Sequence, residues 1–321
     1  MKAEKTLYVV VPCYKEEAVL PETSKRLKEK MGALIAQGKI AANSRVMFVN
    51  DGSKDRTWEI ICELHEKDRL FSGVNLARNR GHQNALLAGL LTAVQHADMI
   101  VSMDADLQDD IDAVDEMVDK YLDGADIVYG VRSSRKKDTF FKRFTAEAFY
   151  RLMDKLGAET VFNHADYRLM SKRALEGLSQ FREVNLFLRG IVPMIGYRAE
   201  VVEYERGERF AGESKYPLKK MLAFALEGVT SLSVKPLRII TGMGFVVFLI
   251  SLIMIIYNIV RWAMGATVAG WASLSCSVWL IGGLILLALG VVGEYIGKLY
   301  LESKDRPRFI IREVLEDGEE K

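Results

Sequence analysis

The sequence predicts an α/β fold: a doubly wound, mostly parallel sheet, followed by amphipathic interface helices and a two-helix transmembrane hairpin. Three observations predict it. Up to Val131, short β-branched apolar runs alternate with stretches of helical periodicity, the pattern of βαβ units. Polar motifs stand directly after three of those runs, where such sheets bind ligands. Near the C-terminus two long stretches, Ile239 to Val260 and Ala263 to Gly293, contain no charged residue.

The elements follow in order. Thr6 to Val11 (TLYVVV) reads as a buried strand ended by Pro12, and Glu17 to Gln37 has helical periodicity. Arg45 to Val49 is a second buried strand, ended by the turn sequence Asn50-Asp51-Gly52-Ser53. Thr57 to Lys67 is helical, Gly73 to Leu76 a short strand, and Gln83 to Gln95 a helix. Asp98 to Met103 is a strand that stops at Asp104; Ile111 to Leu122 is a helix and Asp126 to Val131 a strand. Thr139 to Leu156 and Tyr216 to Leu232 read as basic, aromatic-rich or apolar helices suited to a membrane interface, with ordinary packing on the sheet as the alternative for the first.

The charge balance bounds the class. The 44 basic and 43 acidic residues nearly cancel, so no bulk field points to nucleic acid. That average hides a partition: between Leu237 and Ile296 only Arg238, Arg261 and Glu294 are charged. Each apolar core is long enough to cross a hydrocarbon layer of roughly 30 Å, which needs about 20 helical residues. Buried helices of a large soluble protein are the blander reading, but core helices seldom run so far without charge. Met1 to Thr6 is polar and charged, not a secretory leader. Lys219, Lys220, Lys235 and Arg238 precede the first span and Lys298, Lys304, Arg306 and Arg308 follow the second, while the connection carries only Arg261. This bias predicts a multi-pass protein of the cytoplasmic membrane with both termini in the cytosol.

The expected organisation is a soluble α/β domain over 1–215, an interface helix over 216–236, two membrane spans within 237–297 (about 239–260 and 271–293) and a charged tail over 298–321. In that tail, Phe309-Ile310-Ile311 has the composition of a short strand. Cys13, Cys62 and Cys276 offer neither a CxxC pair nor a disulfide framework, consistent with a reducing compartment. His65, His82, His96 and His164 lack metal-ligand spacing, and only His82 and His164 sit inside motifs.

Asp104-Ala105-Asp106 is the central motif. Two carboxylates at i and i+2, ending a buried strand, can approach one divalent cation that bridges a diphosphate; Mg²⁺ or Mn²⁺ suits such oxygen ligands. A bare DxD is a weak signal, and Asp109, Asp110, Asp112 and Asp115 show its ordinary alternative, carboxylates at a helix N-terminus. Asp51 stands at a strand end on the same rim, able to accept from a base imino group. Arg78-Asn79-x-Gly81-His82 opens a helix and is a plausible phosphate or base contact.

Together these residues resemble family-2 glycosyltransferases of the GT-A fold. Val10 to Glu17 (VVPCYKEE), Val49 to Thr57 (VNDGSKDRT), Leu76 to Leu90 (LARNRGHQNALLAGL) and Val101 to Gln108 (VSMDADLQ) carry the resemblance. Asp166 to Met170 (DYRLM), Arg206 to Tyr216 (RGERFAGESKY) and the C-terminal hairpin are similar to the polyprenyl-phosphate branch, which includes dolichol-phosphate-mannose-synthase-like enzymes and bactoprenol glucosyltransferases.

The resemblance implies that Pro12, Tyr14, Glu16 and Asp51 hold the nucleoside, with Arg78 nearby. It implies that Asp104 and Asp106 engage metal and diphosphate, and that Gln108 lies near the sugar or metal. Asp166 falls where the family places an active-site carboxylate. Arg132, Arg168, Arg209, Ser214 and Lys215 become candidates for donor and acceptor phosphates. The implied reaction is inverting transfer from a nucleotide-sugar, with UDP-glucose preferred over GDP-mannose, to a polyprenyl monophosphate such as undecaprenyl phosphate. The acceptor is already largely anionic at cytosolic pH, since a phosphate monoester has a second pKa of about 6. The resemblance also admits a homo-oligomer, tetramers included. Competing readings are a processive polysaccharide synthase, whose Gln-x-x-Arg-Trp motif is missing here, a different lipid acceptor, and a non-catalytic nucleotide-sugar-binding scaffold.

Overall fold

The computed structural model describes residues 4–132, 164–184, 186–205, 207, 235–264 and 270–315. The helices expected at Thr139 to Leu156 and Tyr216 to Leu232 lie outside them. The described strands form one eight-stranded sheet, in the order β7 (Ala199–Tyr204), β5 (Ile127–Arg132), β6 (His164–Ser171), β4 (Met99–Ser102), β1 (Leu7–Cys13), β2 (Arg45–Asn50), β3 (Phe71–Leu76) and β8 (Ile311–Leu315).

Its centre is built as the apolar runs require. Strands β1 (Leu7–Cys13), β2 (Arg45–Asn50), β3 (Phe71–Leu76) and β4 (Met99–Ser102) are mutually parallel and almost wholly buried. Continuous apolar runs are what a strand covered on both faces needs. The connecting helices are α1 (Leu20–Ala36), α2 (Thr57–Lys67) and α3 (His82–Ala93). Helix α1 buries Leu20, Leu27, Met31 and Leu34, a helical stripe. Each such side chain contributes about 1.5–3 kcal/mol on burial. Helix α3 lies closest to the sheet. A Cβ at Gly89 would come within 2.5 Å of Val10 and 2.6 Å of Val49, so only glycine permits that approach.

Helix α4 (Ala113–Leu122) leads into β5 (Ile127–Arg132), and β6 (His164–Ser171) then enters between β4 and β5, antiparallel to both. Helices α5 (Lys172–Ser179) and α6 (Leu188–Met194) precede β7 (Ala199–Tyr204), which pairs parallel to β5. The antiparallel entry of β6 has a consequence for function. Ser102 at the carboxyl end of β4 pairs with Arg168, so the amino-terminal part of β6 reaches the same rim as the carboxyl ends of the parallel strands.

Two long helices follow, α7 (Lys235–Ala263) and α8 (Trp271–Ser303). Among the described residues, Leu280–Ser303 is long and apolar enough to cross a membrane, with mean hydropathy 2.0, and Leu237–Val247 is a shorter apolar stretch. Leu280 and Leu286 are 74% and 70% exposed. After α8 the chain returns to the sheet: β8 (Ile311–Leu315) pairs antiparallel with β3 and covers its outer edge. A strand does form in the tail, but over Ile311–Leu315, so of the expected Phe309-Ile310-Ile311 only Ile311 belongs to it.

Candidate active site

The rim is assembled from strand ends. At the end of β2, the Asp51 N–H donates to the Cys13 carbonyl at 2.9 Å and ties two strand ends together. Gly52 has φ +62, and a Cβ there would fall 2.4 Å from the Asn79 nitrogen. The turn therefore stacks on the backbone of the Arg78 loop, and a side chain would part them. Asp51 is 2% exposed, and its two oxygens accept from the N–H groups of Arg80 at 2.6 Å and Gly81 at 2.9 Å. Burial pushes its pKa up, partly opposed by those two amides. Asp51 thus fixes the entry to α3, a role beyond the base contact expected of it.

Beyond β1, Pro12 stays within the buried strand, opposite Val49. Tyr14 is exposed, with the Lys15 ammonium 5.5 Å from its ring centre. Lys15 has φ +59 and its N–H donates to the Ser53 hydroxyl; the Glu16 N–H donates to Thr57. The segment 14–16 and the turn at 50–53 are therefore one linked platform, with the exposed Arg78 on the loop beneath.

The loop after β4 carries the two aspartates. Thr23 of α1, fully buried, donates its hydroxyl to the Ala105 carbonyl at 2.8 Å and holds the loop from behind. Leu107 takes φ +57, uncommon outside glycine, and the Gln108 N–H returns to Asp106 at 3.2 Å. The side chain of Asp104 is 40% exposed at the rim. Desolvation and the neighbouring carboxylates of Asp109, Asp166 and Asp106 push its pKa up to about 6, against the pull of His82. Asp104 and Asp106 are hard oxygen donors a residue apart, and that donor set fits Mg²⁺ or Mn²⁺. Among the described residues no three His, Cys, Asp or Glu side chains converge as a closed cage. Magnesium is commonly bound in this way, by one or two carboxylates together with substrate phosphates.

Opposite lies Asp166. Its backbone carbonyl accepts from Ser102 at 2.5 Å, and its carboxylate is 2.9 Å from Arg168 Nη2 and 3.1 Å from Arg189 Nη2. His82 Nε2 stands 3.5 Å from Asp166 and 3.6 Å from Asp104, bridging the two sides of the cleft. Burial alone would raise the Asp166 pKa, but Arg189, His82 and Arg168 together hold it well below the usual carboxylate range. Burial would lower His82, and Asp166 and Asp104 outweigh it, so the imidazole is raised.

Arg168 departs from expectation. It is 1% exposed, so it has no surface to offer a substrate phosphate; Asp166 is its partner, and its Nε and Nη1 have none. Arg132 is 3.3 Å from the Tyr204 hydroxyl and 3.6 Å from Asp109, while Tyr204 donates to Asp109 at 2.5 Å. Arg209, Ser214 and Lys215 lie outside the described residues.

Residues 8–179 match glycosyl transferase family 2, and residues 235–299 match the GtrB C-terminal hairpin. The chain belongs to glycosyl transferase family 2. The uncharacterized glycosyltransferase YkoT of Bacillus subtilis (strain 168) is 53% identical over 97% of this chain and 92% of that one. The bactoprenol glucosyl transferase of Shigella phage SfV is 40% identical over 95% of this chain and 97% of that one. The prophage bactoprenol glucosyl transferase homolog of Escherichia coli (strain K12) is 39% identical, over 95% and 98%. Among solved structures, mannosyl-3-phosphoglycerate synthase from Rubrobacter xylanophilus is 15% identical over 73% of this chain and 74% of that one, with a TM-score of 0.48.

In this family 2 glycosyltransferase the structure brings Asp104, Asp106, His82, Asp166 and Arg189 to one cleft. Arg189 has no place in any motif of the sequence. Its only signal is a charge within the apolar run Leu186 to Met194.

Proposed function

We propose that this glycosyltransferase moves a sugar, glucose from UDP-glucose, onto a polyprenyl monophosphate of the undecaprenyl type at the cytosolic face of a membrane, with inversion at the anomeric carbon. The observation that carries the proposal is the likeness, along 95% of the chain, to proteins named bactoprenol glucosyl transferase, hairpin match included. The exposed apolar surface of α8 supports a membrane setting, since leucines this open to water are unfavourable without an apolar partner. In this reading α7 and α8 are two spans with both ends cytosolic.

The chemistry follows from the charges. An oxygen of the acceptor phosphate forms the new bond to the anomeric carbon while the bond from that carbon to the nucleoside diphosphate breaks. The products are a polyprenyl-phosphate sugar and the free nucleoside diphosphate. The nucleophile carries its negative charge before it arrives. A general base is therefore unnecessary, and Asp166, ionised and engaged on both oxygens, is ill suited to be one. Its role is to orient Arg189 and His82. Arg168 cancels the Asp166 charge from below, so Arg189 remains as net positive charge for a phosphate. Preorganised charge of this kind stabilises what develops in the transition state. Asp104 and Asp106 would hold a divalent cation, which when bound neutralises the departing diphosphate. Tyr14, Glu16 and Asp51 frame the nucleoside side, with Arg78; Gln108 and Arg132 border the sugar side; Arg209, Ser214 and Lys215 are further phosphate candidates.

The test is direct. Purified full-length protein is incubated with undecaprenyl phosphate, Mg²⁺ or Mn²⁺ and a panel of UDP- and GDP-sugars, and the lipid product is weighed by mass spectrometry. A single hexose-phosphate lipid from UDP-glucose alone is the expected result. Product from GDP-mannose alone overturns the donor. No product from any donor, with nucleotide bound, overturns the reaction.

A further inference from the structure

The segment that leaves α8 is stitched back to the α/β domain at consecutive points. Near the end of α8, Glu302 accepts from the Val184 N–H at 3.0 Å. The Pro307 carbonyl accepts from Arg80 Nη2 at 2.7 Å. Arg308 Nη2 donates to the Phe181 carbonyl at 3.0 Å, and the Ile310 carbonyl accepts from the Ala77 N–H at 2.9 Å. The ladder of β8 on β3 completes the attachment, with Phe309 and Ile311 against the core beneath α3.

The anchoring points lead toward the cleft by two routes. The backbone N–H of Arg80 is one of the two that hold Asp51. Phe181 and Val184 belong to the loop that leads into α6. There the Leu188 N–H donates to Gln83 of α3 at 2.8 Å, and the next residue, Arg189, grips Asp166. Gln83 in turn follows His82. The contacts therefore link the last turn of α8 to the Asp51 side directly through Arg80, and to the Arg189 side through the segment ahead of α6.

We propose that residues 302–315 form a positioning strap, in which Arg80, Glu302 and Arg308 set the Asp51 turn and the Asp166–Arg189–His82 cluster at a fixed place relative to the end of α8. The idea rests on the reading above in one respect, that α8 is membrane-borne and the acceptor arrives from the membrane. A phosphate carried by a lipid has a fixed depth, so the cleft must be held to meet it. Misplacement by about 1 Å can cost about 10²-fold in rate. A donor that diffuses in from water makes no such demand.

The experiment uses the full-length chain in phosphatidylglycerol nanodiscs, as wild type, Arg308→Ala, Glu302→Ala and Glu302→Gln. Hydrogen exchange is read first, without substrates. The alanine variants are expected to speed exchange at the amides of Arg80, Gly81, Val184 and Leu188 by about tenfold, with β1, β2 and β4 unchanged. Glu302→Gln keeps a carbonyl acceptor and restores protection. Unchanged exchange at those four amides, or equal acceleration across the sheet, overturns the strap. Kinetics with UDP-glucose and undecaprenyl phosphate are read second. The acceptor KM is expected to rise about tenfold, some 1.4 kcal/mol, and the donor KM, reached through the Asp51 turn, by clearly less. Equal shifts for both substrates, or none, overturn the positioning role. Exchange is measurable whether or not the proposed reaction occurs, so failure of the strap and failure of the reaction give different results.

Discussion

Arg189 meets Asp166 side-on, with Nη2 3.1 Å from Oδ2 and Nε 3.3 Å from Oδ1. A fork on both oxygens fixes the carboxylate more firmly than a point charge does. It also leaves the Arg189 side chain 33% exposed. Arg189→Ala is expected to lower kcat by about 10²–10³-fold, the range seen when one preorganised donor is removed. Arg189→Lys keeps the charge without the fork and should recover only part. Turnover beside a thermal melt checks this: Tm should fall modestly, since Asp166 keeps Arg168 and His82, and the loss of activity should far exceed what that fall explains.

Asp166 carries a second burden, the buried charge of Arg168. Removing the carboxylate leaves a guanidinium at 1% exposure with no partner. Asp166→Ala should therefore cost about 3–5 kcal/mol, as other broken buried pairs do. Adding Arg168→Met should return most of that stability and none of the activity. Denaturant titrations of the single and double variants check it. The pH dependence has a definite sign. The folded pKa is depressed, so the stabilisation is complete above the ordinary carboxylate value of about 3.9 and is lost only as pH falls through the lower folded value. The carboxylate's own contribution is constant above about pH 5, but Asp166 also favours the His82 cation and disfavours ionised Asp104, so the gap between wild type and variant should narrow as pH rises through the titration of those two groups.

Asp104 behaves in the opposite sense. Its pKa of about 6 lies above the unfolded value, so the metal-free fold disfavours its charged form. Metal-free protein should gain stability as pH falls from about 6 to about 4. Asp104→Asn should be more stable than wild type at pH 8 without metal, and the difference should shrink to about half at pH 5 and close toward pH 4, or on addition of Mg²⁺. The variant should make no product. Chemical denaturation at these pH values, with and without Mg²⁺, reads each part.

What was legible in the sequence was local. Apolar runs and turn residues marked β1, β2 and β4 and so placed Asp51, Asp104 and Asp106 on one rim, because parallel strands share the direction of their ends. Asp166 and Arg168 stood out only through the resemblance of DYRLM, which says nothing of the strand they share or of the cover that buries Arg168 away from substrate. That cover depends on how other elements pack over β6. Arg189 reaches Asp166 only through the antiparallel entry of β6 and the turn into α6, a tertiary event that no spacing encodes. The return of the tail to β3 is equally non-local, since two long helices intervene. Leu107 at φ +57 shows the same limit at small scale: Asp-Ala-Asp is visible as a motif, whereas the left-handed residue that follows it is not.

The loop after β4 offers a last test, at Thr23 behind it. Thr23 donates to the Ala105 carbonyl at 2.8 Å and to the Val19 carbonyl within its own helix at 3.1 Å. The first bond spans two elements and stands directly between Asp104 and Asp106. Thr23→Val preserves the volume and removes the donor, leaving a buried carbonyl unpaired at a cost of about 1–3 kcal/mol. The loop then has reason to shift, and the spacing of the two carboxylates with it. The expected outcome is a several-fold higher Mg²⁺ or Mn²⁺ requirement in the transfer assay, with maximal rate at saturating metal largely kept. Thr23→Ser retains the hydroxyl and should restore the wild-type requirement. An unchanged metal dependence in Thr23→Val would mean that the loop is held by Leu107 and Gln108 alone.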